Sequence, residues 1–141
     1  MNYVLDTDVI SELIAKQPNA QVIDWIDHLD PRTVYLTVIT IGEIRKGIEK
    51  LPASMRKEML TDWLETDVLL RFHGNILALT TDVMLVWGEL TGRLEMEGNS
   101  LSAIDSLIAA IALHGQYTLI TRNEYDFQYT GISVINPWKE I

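Results

Sequence analysis

Cysteine is absent from these 141 residues. That excludes a disulfide framework, a thiolate nucleophile and any cysteine-ligated zinc or iron–sulfur centre. Histidine is scarce. His28, His73 and His114 are scattered, no His-x3-His pair occurs, and each reads as a helix-end or surface group. Long apolar runs are missing too: the longest, "LIAAIAL" (Leu107–Leu113), falls far short of the roughly 20 residues that cross a bilayer. The N-terminus lacks the basic and apolar regions of a secretory leader, so a soluble, cytoplasmic protein is expected, with no membrane partner. No Walker loop, Gly-x-Gly-x-x-Gly or Gly-x-Ser-x-Gly elbow is present. Positive charge is in short supply, with 11 Lys and Arg against 20 Asp and Glu, a net charge of −9. Such a surface repels nucleic acid in general. It points instead to acidic groups that hold a metal, or to a basic partner.

What is present is a sizeable core. Apolar residues make up 48% of the chain, and the length suits one domain, residues 1–141. "YVLD" (3–6), "TVYLTV" (33–38), "ILALT" (76–80), "YTLIT" (117–121) and "ISVI" (132–135) read as short strands. Helical periodicity marks 8–15, 19–29, 38–51, a segment opened by Pro52 and running to about Phe72, 81–97, and 103–115 ended by Gly115. Strands alternating with helices predict an α/β fold with a mainly parallel sheet of four to five strands, covered on both faces. Ligands in such folds bind beyond the carboxyl ends of the strands, near the topological switch point.

Acidic and polar residues gather at those places. Asp6 ends the first strand and Asp8 follows it. Glu43 lies one turn into the helix after the second strand, Asp105 in the first turn of the helix before the fourth. Asn123, Glu124 and Asp126 follow that strand in "TRNEYDF". Each has an ordinary explanation. Asp6 and Asp8 suit a helix N-cap, Thr40-x-x-Glu43 a capping box, Ser102-x-x-Asp105 a shortened one, and "TRNEYDF" an Asx-turn. Asp105 resists this account most, because it heads the apolar stripe Ile108, Ala109 and Ala112. A carboxylate there costs desolvation energy unless something compensates it. Several carboxylates with no lysine among them suit a hard divalent cation, and oxygen-only ligation selects Mg²⁺ or Mn²⁺ over zinc.

Five stretches carry a family resemblance: "YVLDTDVISEL", "TVITIGEIRKGIEKL" (37–51), "LSAIDSLIAAIALHG" (101–115), "LITRNEYDF" (119–127) and "GISVINPW" (131–138). In this order and spacing, which takes in almost the whole chain, the sequence resembles the PIN-domain ribonucleases. Within them it is similar to the VapC-type toxins of toxin–antitoxin pairs, the FitB-like branch especially. The resemblance implies a three-layer α/β/α domain and metal-assisted hydrolysis of RNA by an activated water. It implies catalytic and metal-binding acids at Asp6, Glu43 and Asp105. A fourth position falls on Asp126 or Asn123, Asp126 being counted with the ligands. Thr7 and Thr121 are expected to orient ligands or waters, and the role of Asp8 stays open between helix cap and added charge. Arg45, Lys46 and Arg122 are candidate RNA phosphate contacts. A homodimer and a tightly bound VapB-like antitoxin with a DNA-binding N-terminus are also implied.

Three other readings stay in view. "DTDVI" comes near the Asp-x-Asp-x-Thr/Val of haloacid-dehalogenase-type phosphatases, with Asp6 as nucleophile, though no lysine or later acidic pair follows in place. A receiver domain would need an Asp after the third strand and a Lys after the fifth. A non-catalytic binding protein on the same fold would keep the acids without the activity. The basic cluster Arg45, Lys46, Lys50, Arg56 and Lys57 reads either as a solvated helix face or as an RNA contact.

Overall fold

A computed structural model of the chain describes residues 1–139, so the last two residues of the expected 1–141 domain lie outside the described residues. Five short strands form one sheet: β1 (Tyr3–Leu5), β2 (Val34–Thr37), β3 (Ile76–Leu77), β4 (Thr118–Ile120) and β5 (Ser133–Ile135). Their order across the sheet is β3-β2-β1-β4-β5, and every neighbouring pair is parallel. The helices are α1 (Thr7–Glu12), α2 (Ala20–Asp27), α3 (Val38–Glu49), α4 (Met55–Asp62), α5 (Leu69–Arg71), α6 (Thr81–Met96) and α7 (Ala103–Gly115).

Alternation along β1 explains the three layers. Val4 and Leu5 are both fully buried, but a strand sends successive side chains to opposite faces. Leu5 packs with Val9 of α1, Ile26 of α2, Ile44 of α3 and Leu60 of α4. Val4 packs with Leu90 of α6 and Ile108 and Ala109 of α7. The expected α/β/α architecture is therefore present. No helix among the described residues is long and apolar enough to cross a membrane.

Local chemistry moved several expected boundaries. Pro52 does not open α4. Ser54 does, its hydroxyl accepting the Lys57 N–H at 3.1 Å. The expected helix to Phe72 widens into a π-helical stretch at Trp63–Val68 before α5, with Leu64 and Val68 still buried. "ILALT" supplies only Ile76 and Leu77 to the sheet. They pair at its edge with Leu36 and Thr37, and Ala78 to Thr80 are exposed.

Gly115 closes α7 for a different reason than expected. It is the last helical residue, and the left-handed position falls on Gln116 (φ 58°). A Cβ on Gly115 would stand 2.1 Å from the Tyr117 ring, so the glycine permits a close approach. Gln116 bears the left-handed conformation that glycine adopts without steric cost. Gln116→Gly is expected to raise stability by about 1 kcal/mol in urea denaturation; an unchanged or lower midpoint would contradict this.

Candidate active site

Strands β2 and β3 lie on one side of β1, and β4 and β5 on the other, so the chain reverses its direction of travel between β1 and β4. The C-terminal ends of these two strands form the switch point where parallel sheets place ligands. Asp6 stands there, immediately after β1, with its N–H on the Ile120 carbonyl of β4 at 2.9 Å. It is the N-cap of α1. One carboxylate oxygen accepts the Thr7 N–H at 2.8 Å, and the other accepts the Thr121 hydroxyl at 2.9 Å. The residue is 5% exposed. Burial, with the neighbouring Asp8 and Asp105 charges, pushes its carboxyl up to about 7 despite those hydrogen bonds.

Thr7 joins α1 to α3. Its hydroxyl donates to Glu43 Oε1 at 2.5 Å and lies 3.0 Å from the buried Thr40 hydroxyl. The Thr40–Glu43 capping box does not form. Thr37 is the N-cap of α3, its hydroxyl accepting the Thr40 N–H, so Thr40 lies inside the helix and Glu43 a turn further on. Glu43 instead faces α1, reached by Thr7.

Thr121 joins β4 to α1. Besides donating to Asp6, it lies 3.4 Å from Asp8 Oδ2 and accepts the Asn123 N–H at 3.1 Å. Asp8 does not cap α1; that role is Asp6's. Asp8 Oδ2 reaches across to accept the Arg122 N–H at 3.0 Å. Its Oδ1 is buried with no hydrogen-bond partner. Burial raises the Asp8 carboxyl above the ordinary range, against the lowering effect of the Arg122 N–H. An orphaned buried carboxylate oxygen is expensive.

Asp105 lies at the head of α7, where the Ser102 hydroxyl accepts its N–H at 3.3 Å. Half of the expected box is thus real: Ser102 is the cap. Burial raises the Asp105 carboxyl, the Ser102 hydroxyl lowers it, and the charge of Asp126 raises it again. Asp126 is exposed in a 3₁₀ turn, Glu124–Phe127, and shares a surface hollow with Asp105. Asn123 precedes that turn and makes no side-chain cap.

The structure therefore brings Asp6 and Asp8 together around Thr121, ties Glu43 in through Thr7, and sets Asp105 between the fields of Asp6 and Asp126. It does not draw them into contact: among the described residues, no three acidic or histidine side chains are grouped closely enough to hold a metal ion. None of the five takes part in any of the ion pairs among the described residues, which use Asp24, Asp30, Glu49, Glu97 and Glu124. These five carboxylates stand outside the ion pairs among the described residues, one keeps an orphaned buried oxygen, and oxygen-only ligands of this kind are those that a hard divalent cation prefers.

Residues 3–132 match the PIN domain family. The chain is a PIN domain. It is 38% identical to the plasmid stability protein StbB of Pseudomonas syringae pv. tomato, over 96% of this chain and 98% of that protein. It is 35% identical to toxin FitB of Neisseria gonorrhoeae (97% and 99%) and 35% identical to the VapC ribonuclease Y4jK of Sinorhizobium fredii (96% and 97%). Among solved structures it resembles FitAcB from Neisseria gonorrhoeae, with a TM-score of 0.94 at 35% identity, covering 98% of this chain and 99% of that one. It also resembles VapBC-5 of Mycobacterium tuberculosis, a member of the VapBC family of toxin–antitoxin systems. There the TM-score is 0.66 at 25% identity, covering 95% of each chain.

The basic residues of this PIN domain divide by their partners. Lys57 holds the Glu49 and Leu51 carbonyls at the end of α3, and Arg56 holds the Ile14 carbonyl. Arg45 pairs with Glu49 at 3.0 Å on the surface. Lys46 is exposed three residues after Glu43, on the same helix face. Arg122 follows Thr121, its guanidinium 5.2 Å from the Trp138 ring centre. One supporting residue gave no signal by type or spacing: Asn136, 4% exposed. Its amide donates to the Arg122 carbonyl and to Glu124, and its oxygen accepts the Trp138 N–H, fastening the turn beside the acids. The "NPW" that follows β5 marked the place without marking the task.

Proposed function

We propose that this PIN domain is the toxin of a toxin–antitoxin pair, a Mg²⁺- or Mn²⁺-dependent endoribonuclease acting in the cytoplasm. The observation that carries this reading is the set of unpaired carboxylates at the β1–β4 switch point. The names of its relatives, a toxin and a ribonuclease, support it.

Asp6, Glu43, Asp105 and Asp126 would hold the cation. Asp8 adds negative charge and fixes the backbone at Arg122. A divalent ion held by these carboxylates would supply the chemistry, acidifying a water and offsetting charge on the leaving oxygen. The chain's own residues do the rest. Thr7 orients Glu43 and Thr121 orients Asp6, so two carboxylates are aimed by neutral hydroxyls that add no competing charge. Asn123, its N–H held by Thr121, would orient a water or the substrate. Lys46, Arg122 and Arg45, all exposed, would meet RNA phosphates on a chain whose net charge of −9 otherwise repels them. Both oxygens of Asp6 are engaged in hydrogen bonds, which disfavours a nucleophilic role and favours water as the attacking group.

A VapB-like antitoxin with a DNA-binding N-terminus would be the partner, and a homodimer the assembly. A groove of about 200 Å³ starts at Thr7 and Glu43 and continues along Ile14, Ile44, Leu60 and Trp63. Its apolar floor suits an antitoxin segment, and its acidic end suits a basic side chain on that segment. Expression of the wild type is expected to arrest growth, and co-expression of the partner encoded beside it to restore growth. Growth unaffected by wild-type protein present in quantity would count against the toxin reading.

Glu43→Gln separates cleavage from folding. The glutamine oxygen still accepts from Thr7, and no capping box is lost. Melting is expected to change by no more than about 0.5 kcal/mol, while cleavage falls at least tenfold. A large loss of stability with cleavage intact would make Glu43 structural.

A further inference from the structure

Beside Asp105 and Asp126 the surface opens into a hollow of about 310 Å³, walled also by Ser100, Tyr125, Gln128 and Tyr129. Its volume lies at the lower end of the range for small-ligand sites, about 300–1,000 Å³. Tyr125 is 77% exposed and Tyr129 51%. Neither ring takes part in the aromatic or cation–π pairs among the described residues, and neither phenol is hydrogen-bonded there. Two large aromatic faces thus stand unused at the rim of the acidic site.

They stand on a fixed support. Phe127, between them, is 1% exposed and belongs to the α6–α7 side of the core. The Thr130 hydroxyl donates to the Phe127 carbonyl at 2.6 Å, and the Arg93 guanidinium donates to the carbonyls of Tyr129 and Thr130 at 3.2 and 3.4 Å. No lysine or arginine lines the hollow, and its two aspartates repel a bare phosphate. An uncharged, planar group tethered to a phosphate fits these walls. Unpaired nucleobases are such groups, and proteins hold them by stacking on aromatic rings.

We propose that this hollow is a base subsite, in which one unpaired nucleobase next to the scissile phosphate of a single-stranded RNA stacks on Tyr125 and Tyr129. Ser100 and Gln128 supply hydrogen bonds to the base edge. The inference rests on the nuclease reading and adds to it the place on this chain where one base of the substrate is held.

The test uses a cleavage-inert 2′-O-methyl oligonucleotide carrying 2-aminopurine at successive positions, titrated with the full-length protein. One position is expected to be quenched on binding. Tyr125→Ala and Tyr129→Ala should each abolish that quenching and weaken binding about tenfold, while Tyr125→Phe retains both and all three keep the wild-type circular dichroism. No binding, no quenched position, or alanine variants that bind and quench like the wild type would overturn the subsite. If the wild type and both alanine variants cleave RNA equally, the subsite is wrong and the nuclease reading stands. If quenching follows the tyrosines but no RNA is cleaved, the subsite stands and the nuclease reading falls.

Discussion

Asp105→Asn is expected to lower RNA cleavage by about a thousandfold or more at saturating Mg²⁺, with melting unchanged or slightly raised. The rate effect follows from removing a charged oxygen donor from the cation. Loss of about 4 kcal/mol of transition-state stabilisation, the scale of such metal contributions, amounts to roughly a thousandfold. The fold is spared for a local reason. Ser102 caps α7 through the backbone N–H of Asp105, which asparagine keeps. The lost carboxylate is one that burial and Asp126 already destabilise, so its removal relieves repulsion. Cleavage of a defined RNA and thermal melting, run on the same preparation, check both halves. Cleavage within tenfold of wild type would remove Asp105 from the site.

The second large effect concerns pH. Without a divalent cation, the protein is expected to lose stability as pH rises from about 4 to about 7, and to change little above that through this group. The Asp6 carboxyl binds its proton more tightly folded than unfolded, since its pKa rises from 3.8 to about 7. Between those values the folded state holds the extra proton, so raising the pH favours unfolding. The full swing is on the order of 4 kcal/mol. Asp8 and Asp105 shift in the same direction and add to the slope. Asp30 and Glu124 shift downward through Arg32 and Lys139, and oppose the slope only below the ordinary carboxylate range. Asp6→Asn should flatten the curve and raise the melting temperature at pH 8 by roughly 10 °C, since the Thr121 hydroxyl can turn to accept from the new amide. Added Mg²⁺ should flatten the wild-type curve in the same way. Urea melts in EDTA at pH 5, 7 and 8 decide it. Equal midpoints at all three would mean that Asp6 is not buried against its neighbours as the structure has it.

Much of this was legible in the sequence because it depends on short-range rules. Strand–helix alternation implies the parallel sheet, and the position of Asp6 at the end of the first strand puts it at a carboxyl end; that this end lies at the switch point follows only from the strand order. Thr7 and Thr121 could be nominated because they adjoin the acids in sequence. What escaped depends on where each element begins and on contacts between side chains. Glu43 looked like one half of a capping box because Thr40 stands three residues earlier. Only the position of Thr37 at the end of β2 shows where α3 begins. Asp8 looked like a cap as much as Asp6 did. Its reach to Arg122, 114 residues away, and its orphaned oxygen have no sequence signature. Gly115 looked like a left-handed stop, and the ring of Tyr117 turned out to be its reason. The basic cluster reads either as a solvated face or as an RNA contact, yet Arg56 and Lys57 are occupied with backbone carbonyls.

The most direct measurement is cleavage of single-stranded RNA by the purified wild-type protein in Mn²⁺ and in EDTA, with Asp105→Asn alongside. Endonucleolytic cuts in Mn²⁺ that vanish in EDTA and are missing from the Asp105→Asn lane are the predicted result. Equal cleavage in EDTA, or folded protein that cuts no RNA in Mn²⁺, would contradict a metal-dependent nuclease built on these carboxylates.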